Sequence, residues 1–169
     1  RKELNAPVAI LLDTKGPEIR TGDFEEPIEL VEGDKFVVTM DDCVGNRERC
    51  TVSYKDMAKD LKVGDTILID DGLVSLKVVE ISGQDIITRV ENSGKVSSKK
   101  GVNLQGVEVN LPAITEKDRE DIEFGIEQGI DFIAASFVRK AADVLEIRKI
   151  LEEKGATDIQ IFSKIESQE

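Results

Sequence analysis

Three polar clusters in this chain carry residue types that could do chemistry: Asp13-Thr14-Lys15-Gly16-Pro17-Glu18-Ile19-Arg20, Ser136 with Arg139, and Lys164 with Glu166. Lys164 and Glu166 stand two apart in an extended-looking segment, so both side chains project to one face. A cation beside a carboxylate at a strand end can hold a divalent metal while offsetting the charge of a transferring phosphoryl group. A surface lysine and glutamate in a loop is the plainer account, and the spacing leaves both open. In the first cluster Asp13 and Thr14 offer hard oxygen ligands, while Lys15 and Arg20 offer positive charge to phosphates. Alternating polarity around a Gly-Pro turn is common, so this signal is weak alone. Lys99-Lys100-Gly101 could reach a phosphate or lie in a solvated loop. Asp70-Asp71-Gly72 reads more simply as a hairpin turn than as a metal site.

Composition narrows the chemistry further. The 169 residues include no histidine, which removes histidine triads, histidine-ligated zinc and histidine general bases. A net charge of −12 argues against nucleic acid or an anionic membrane as partner, since no basic stripe is present. With 40% hydrophobic and 34% charged residues, the chain has the profile of a globular protein, not a disordered one. Its longest apolar stretches, Val8 to Leu12 and Phe132 to Ala135, are too short to cross a bilayer. The start shows no signal-peptide pattern, so an intracellular, cytoplasmic protein is expected. Cys43 and Cys50 have neither metal-ligand nor redox spacing and are expected to remain thiols.

The elements that must position these groups fall into three segments. Pro7 to Leu12 is apolar at every position, as in a strand buried on both faces of a parallel sheet. From Gly22 to Leu111 short β-branched runs alternate with turn signals. Phe36–Thr39, Thr66–Ile69, Leu73–Ile81 and Asp85–Val90 are the clearest, with Asp71-Gly72 and Ser82-Gly83 placed for tight turns. Tyr54 to Leu61 reads as a short helical turn. Such a pattern suggests a small antiparallel barrel or sandwich. After Pro112 a helical period begins, with Thr115 as N-cap, Asp118 completing a capping box and Gly129 as the stop. Phe132–Phe137, a helix over Ala141–Lys154 ending at Gly155, and Ile159–Ile165 follow. Without its middle segment the chain is a βαβαβ unit, of the kind that builds doubly wound sheets or eight-fold β/α barrels. Active groups gather at the carboxyl ends of such strands, where Asp13, Thr14, Ser136, Arg139, Lys164 and Glu166 stand.

Six segments carry a resemblance. LDTKGPEIRTG (Leu12–Gly22), DDGL (Asp70–Leu73), KKGVNL (Lys99–Leu104), LPAITEKD (Leu111–Asp118), FIAASFVRKAADV (Phe132–Val144) and SKIESQE (Ser163–Glu169) are similar, in order and spacing, to pyruvate kinases. The resemblance covers essentially the whole chain. It implies α/β plus all-β architecture: a partial (β/α)8 barrel over residues 1–21 and 112–169, with an inserted small antiparallel β-barrel lid over 22–111. It also implies transfer of the phosphoryl group of phosphoenolpyruvate to ADP, giving pyruvate and ATP, with Mg²⁺ or Mn²⁺ and K⁺ as cofactors and a homotetrameric parent enzyme.

By the same resemblance, Asp13 and the carbonyl of Thr14 match ligands of the monovalent cation. Lys164 matches the lysine that stabilises the transferring phosphoryl group, and Glu166 a ligand of the divalent metal. Arg20 and Lys100 match positions that approach the nucleotide phosphates, and Ser136 and Lys140 lie near the substrate pocket. Asp71 matches a position facing the cleft when the lid closes. The family's remaining cation ligands, a phosphate-binding arginine, a second metal carboxylate and a regulatory domain match nothing in this chain, which is expected to be inactive by itself. Two alternatives are a Schiff-base lyase using Lys164, disfavoured by the neighbouring Glu166, and a non-enzymatic binding or folding module.

Overall fold

The computed structural model describes residue 3 and residues 5–166; residues 1, 2 and 4, and the last three residues of SKIESQE, lie outside the described residues. In chain order the strands are β1 (Leu11–Asp13), β2 (Ile19–Arg20), β3 (Ile28–Leu30), β4 (Lys35–Thr39), β5 (Arg49–Thr51), β6 (Thr66–Ile69), β7 (Val74–Ser82), β8 (Asp85–Val90), β9 (Gly94–Val96), β10 (Gly101–Gln105), β11 (Phe132–Ala135) and β12 (Gln160–Ser163). The helices are α1 (Met57–Asp60), α2 (Glu116–Glu127) and α3 (Ala141–Glu153). The described residues divide into two compact units, one formed by the chain up to Pro17 and from Leu111 on, the other by Glu18–Asn110.

In the first unit β1, β11 and β12 form a parallel sheet in that order, joined through α2 and α3. Leu12, Ile133 and Ile161 lie side by side in register, and all three belong to the core formed with the helices. Ile122 of α2 and Ile147, Ile150 and Leu151 of α3 supply the helical side of that core, each essentially inaccessible. Period-2 alternation then puts Leu11, Phe132 and Phe162 on the other face. There the Phe132 and Phe162 rings stand 5.3 Å apart, and Phe162 is 52% exposed. This is a β/α arrangement that fits a partial barrel.

One expectation fails in this unit. The run from Pro7 to Leu12 does not form a strand buried on both faces: β1 starts at Leu11, and Val8, Ile10 and Leu11 are 59%, 45% and 49% exposed. Two-sided burial needs a layer against each face, whereas α2 and α3 pack on one face of this sheet.

The helix ends follow local rules. The Thr115 hydroxyl accepts from Asp118 N at 3.1 Å, and Asp118 Oδ2 accepts from Thr115 N at 3.0 Å, a reciprocal capping box. α2 and α3 each end before a left-handed glycine, Gly129 (φ 69°) and Gly155 (φ 67°), whose amides donate to Ile126 O and Glu152 O at 3.0 Å.

The second unit holds a seven-stranded sheet in the order β2-β10-β6-β7-β8-β4-β5, antiparallel except for the β4–β5 pair, and a β3–β9 ribbon. Its core is mostly β-branched and aliphatic: Phe36, Val38, Ile67, Leu76 and Ile86 are inaccessible. Just beyond the two outermost strands, Thr21 and Val52 form an antiparallel bridge, flanked by Gly22 N to Thr51 O (2.8 Å) and Ser53 N to Arg20 O (2.9 Å). Both expected turns are hairpins. Asp70, Asp71 and Gly72 take φ of 55°, 55° and 87° between β6 and β7, and Gly83 takes 61° between β7 and β8. Leu73, read as strand, is 66% exposed and belongs to the first of these turns, with its N–H donating to Asp70 O at 3.0 Å.

Candidate active site

The carboxyl ends of β1, β11 and β12 bring five side chains together. Thr14 follows β1 and is buried; its hydroxyl donates to Ala134 O at 3.3 Å and accepts from Ser136 N at 3.2 Å. In return the Ser136 hydroxyl donates to the Thr14 carbonyl oxygen and lies 3.3 Å from Asp13 Oδ1. That same carboxylate oxygen is 2.8 Å from Lys164 Nζ, which stands 3.9 Å from Glu166 Oε1. Glu166 Oε2 accepts from Phe137 N at 2.8 Å. The Lys164 backbone is fixed on both sides, its N–H donating to Ala135 O (2.9 Å) and its carbonyl accepting from Val138 N (3.1 Å).

Two backbone features shape this cluster. Phe137 has φ of 54°, a left-handed conformation rare for an aromatic residue. Gly16 has φ of 70°, and a Cβ there would stand 2.9 Å from the Ser136 carbonyl oxygen. The loop after β1 therefore runs against the loop after β11 at a distance only glycine permits.

Two buried aspartates hold these loops and were given no site role by sequence reasoning. Asp118 Oδ1 accepts from both Lys15 N and Gly16 N at 3.1 Å. Asp143 Oδ2 accepts from Arg139 N at 2.9 Å and Lys140 N at 3.2 Å. Both sit at the third position of a helix, where reaching back is common; the capping-box spacing from Thr115 was the signal for the first. Arg139 is a brace here: Nη2 donates to Leu111 O at 2.8 Å and Nε lies 3.5 Å from Asp143 Oδ2. The Lys140 side chain is exposed, and among the described residues no contact places it with the Asp13–Lys164 cluster.

Arg20 and Lys100 belong to the second unit. Glu18 grips the Arg20 guanidinium through two oxygens, at 2.7 Å to Nε and 3.0 Å to Nη2, and Nη1 donates to Lys99 O at 2.7 Å. The hydrogen bond that Arg20 donates to Glu18, with the charges of Glu18 and Asp71, raises the Arg20 pKa above its ordinary value. Lys100 Nζ pairs with Asp70 Oδ2 at 2.9 Å.

The donor set decides which ions these residues can hold. Thr14 O and Asp13 Oδ1, both at the end of β1, face the Ser136 hydroxyl from the loop after β11, and such a set of hard oxygens fits a hard monovalent cation. For a divalent cation the described residues offer less: none of them form a group of three or more His, Cys, Asp or Glu able to hold a metal. Glu166 supplies one carboxylate, which alone is no divalent site.

The family model described as "Pyruvate kinase, barrel domain" matches residues 1–169. The chain belongs to the pyruvate kinase family. It is 57% identical over 171 residues to the pyruvate kinase of Clostridium acetobutylicum, with 100% of this chain and 36% of that protein covered. It is 56% identical over 170 residues to the pyruvate kinase of Bacillus licheniformis and 57% over 171 to that of Geobacillus stearothermophilus, covering 99% of this chain and 29% of each relative. This pyruvate kinase segment thus spans about a third of the curated relatives it matches.

Proposed function

We propose that this chain is the part of a pyruvate kinase that moves the phosphoryl group of phosphoenolpyruvate to ADP, and that Lys164 is its catalytic cation. The observation that carries this is the ammonium of Lys164 held 2.8 Å from Asp13 and 3.9 Å from Glu166 at a strand end, with its backbone pinned on both sides. Phosphoryl transfer leaves the protein little covalent work; alignment and charge stabilisation do most of it. A fixed ammonium beside the transferring group lowers the barrier because its orientation costs nothing at the moment of reaction.

Asp13 and the Thr14 carbonyl would hold K⁺, whose charge offsets that of the anionic substrate when bound. The Ser136 hydroxyl touches both of these oxygens, and we assign it to the edge of the substrate site. Glu166 would give one ligand of Mg²⁺ or Mn²⁺. We assign Lys140 to the neighbourhood of the substrate and Arg20 and Lys100 to the nucleotide phosphates, which would have to displace Glu18 from Arg20 and Asp70 from Lys100.

We read residues 1–21 and 112–169 as the catalytic barrel segment and 22–111 as an inserted small antiparallel barrel acting as lid. The bridge between Thr21 and Val52, which links the ends of the outermost strands of the seven-stranded sheet, supports closure of that barrel. A cytoplasmic homotetramer is the parent form we propose, and among the described residues no helix is long and apolar enough to cross a membrane. The test is Lys164→Met in the full-length protein containing this chain. The expected result is a fall in kcat of about 10²–10³-fold, as for loss of one preorganised transition-state donor. A kcat within two-fold or so of the parent would remove Lys164 from the mechanism.

A further inference from the structure

Asp118 is 1% exposed, and its carboxylate accepts four hydrogen bonds. Two come from Thr115, N at 3.0 Å and Oγ1 at 2.6 Å, both to Oδ2. That pair locks the rotation of the carboxylate. The other two come from Lys15 N and Gly16 N, both to Oδ1 at 3.1 Å. A cap needs only the first pair. The second pair points into the loop after β1.

The Lys15 N–H and the Thr14 carbonyl belong to one peptide unit. That unit is planar and trans, the described chain having no cis peptide, so its N–H and C=O point in opposite directions. Holding the N–H on Asp118 therefore fixes where the carbonyl oxygen points, and it points at the Ser136 hydroxyl beside Asp13 Oδ1. We propose that Asp118 is a positioning residue for the monovalent cation: it aims the Thr14 carbonyl by gripping the far side of the same peptide. This rests on the assignment of Asp13 and Thr14 as cation ligands. Gly16 completes the device. Its N–H is a second consecutive donor to the same carboxylate oxygen, and its left-handed φ of 70° and missing Cβ leave room for the Ser136 carbonyl.

Asp118→Asn and Thr115→Ala in the full-length protein separate aim from stability. Thr115→Ala weakens the cap but leaves Oδ1 on Lys15 and Gly16; Asp118→Asn must set an NH₂ against N–H groups on one side or the other. Two quantities are read: the dissociation constant for thallous ion by equilibrium dialysis without substrate, and the K⁺ concentration giving half-maximal activity. Asp118→Asn is expected to raise both by about 10–100-fold, the usual effect of removing a group that orients a metal ligand. Its kcat at saturating K⁺ should stay within about two-fold of the parent. Thr115→Ala should lower the melting temperature and leave both cation constants within about two-fold. Unchanged cation constants in a folded Asp118→Asn protein would overturn the proposal. Should that variant not fold, hydrogen exchange of the parent decides. Saturating thallous ion is expected to slow exchange at the Lys15 and Gly16 amides, by reciprocity of linked equilibria, and rates indifferent to the ion would equally overturn it. A parent protein needing no monovalent cation would instead sink the assignment of Asp13 and Thr14.

Discussion

Tyr54 is the chain's one tyrosine, and its hydroxyl donates to Asp60 Oδ2 at 2.5 Å. Burial, then the bond to Asp60 and the charges of Asp60 and Asp56, push its pKa from 10.0 to about 12. Folding thus favours the neutral phenol. The stability this contributes is complete below pH 10.0 and is lost as pH rises through about 12. Because the chain has no tryptophan, ultraviolet absorbance reads this single phenolate cleanly. Ionisation should coincide with loss of far-ultraviolet circular dichroism, and a midpoint at the ordinary value in folded protein would contradict the burial argument. The two cysteines make a second residue-scale case. Burial, then Cys43, raises the Cys50 thiol to about 12, while Cys43 is half-buried. Thiolate is the reactive form, so a disulfide reagent should titrate one thiol quickly and the second only on unfolding. At this scale sequence reasoning saw both cysteines as thiols; which one is sealed depends on packing that no local pattern reports.

At the scale of elements, two glycines of nearly equal φ predict unequal costs. Gly16 (φ 70°) and Gly129 (φ 69°) both ask an alanine to take a left-handed backbone, worth about 1–2 kcal/mol. At Gly129 nothing lies within 4 Å of the added Cβ, whereas at Gly16 it would stand 2.9 Å from a backbone carbonyl that cannot swing aside. Gly16→Ala should therefore lose more stability in urea denaturation than Gly129→Ala, by at least about 1 kcal/mol. Equal losses would show that the loop after β1 is looser than drawn. Sequence reasoning found Gly129, because a glycine ending an apolar helical stripe is a local signal. It saw Gly16 only as a breaker, since the partner that makes it irreplaceable, Ser136, is remote in sequence. The hairpin turns and the Thr115–Asp118 capping box were legible for the same local reason. Short strands such as β2, whose Arg20 pairs with Gly101, were not, because two residues carry no period of their own. Strand β1 errs the other way: its apolar run describes burial that three strands and two helices do not provide.

For the whole molecule, the exposed Phe162 and Leu11 lie on the sheet face opposite α2 and α3. That face, with Asp13 and Lys164 at its strand ends, carries apolar surface and part of a site, in a chain that covers only about a third of its relatives' length. Incubated with phosphoenolpyruvate, ADP, Mg²⁺ and K⁺, the isolated chain should form no detectable pyruvate in a coupled assay, since one carboxylate cannot seat the divalent ion. Turnover near that of an ordinary kinase would show that the residues gathered here suffice. The candidate site was legible at this scale because parallel strands place their chemistry at carboxyl ends, a rule of topology that needs no contact information. What stayed illegible was the support beneath it, Asp118 and Asp143, whose polar side chains look like any exposed helix start until their burial is known.

The pairing of β2 with β10 bears on the order of assembly. Leu11 must find Phe132 to form the first parallel ladder, and nearly the whole second unit lies between them in the chain. Closing so long a detour in an unfolded polypeptide is entropically costly. Arg20 and Gly101, near the two ends of that detour, are partners in an antiparallel ladder. Once the second unit has folded, its entry and exit are neighbours, and the detour left between β1 and β11 is much shorter, with α2 taking up part of it. The second unit thus governs the timing of the first, and a lesion in Glu18–Asn110 should slow pairing of β1 with β11 in a refolding experiment without touching a residue of either strand.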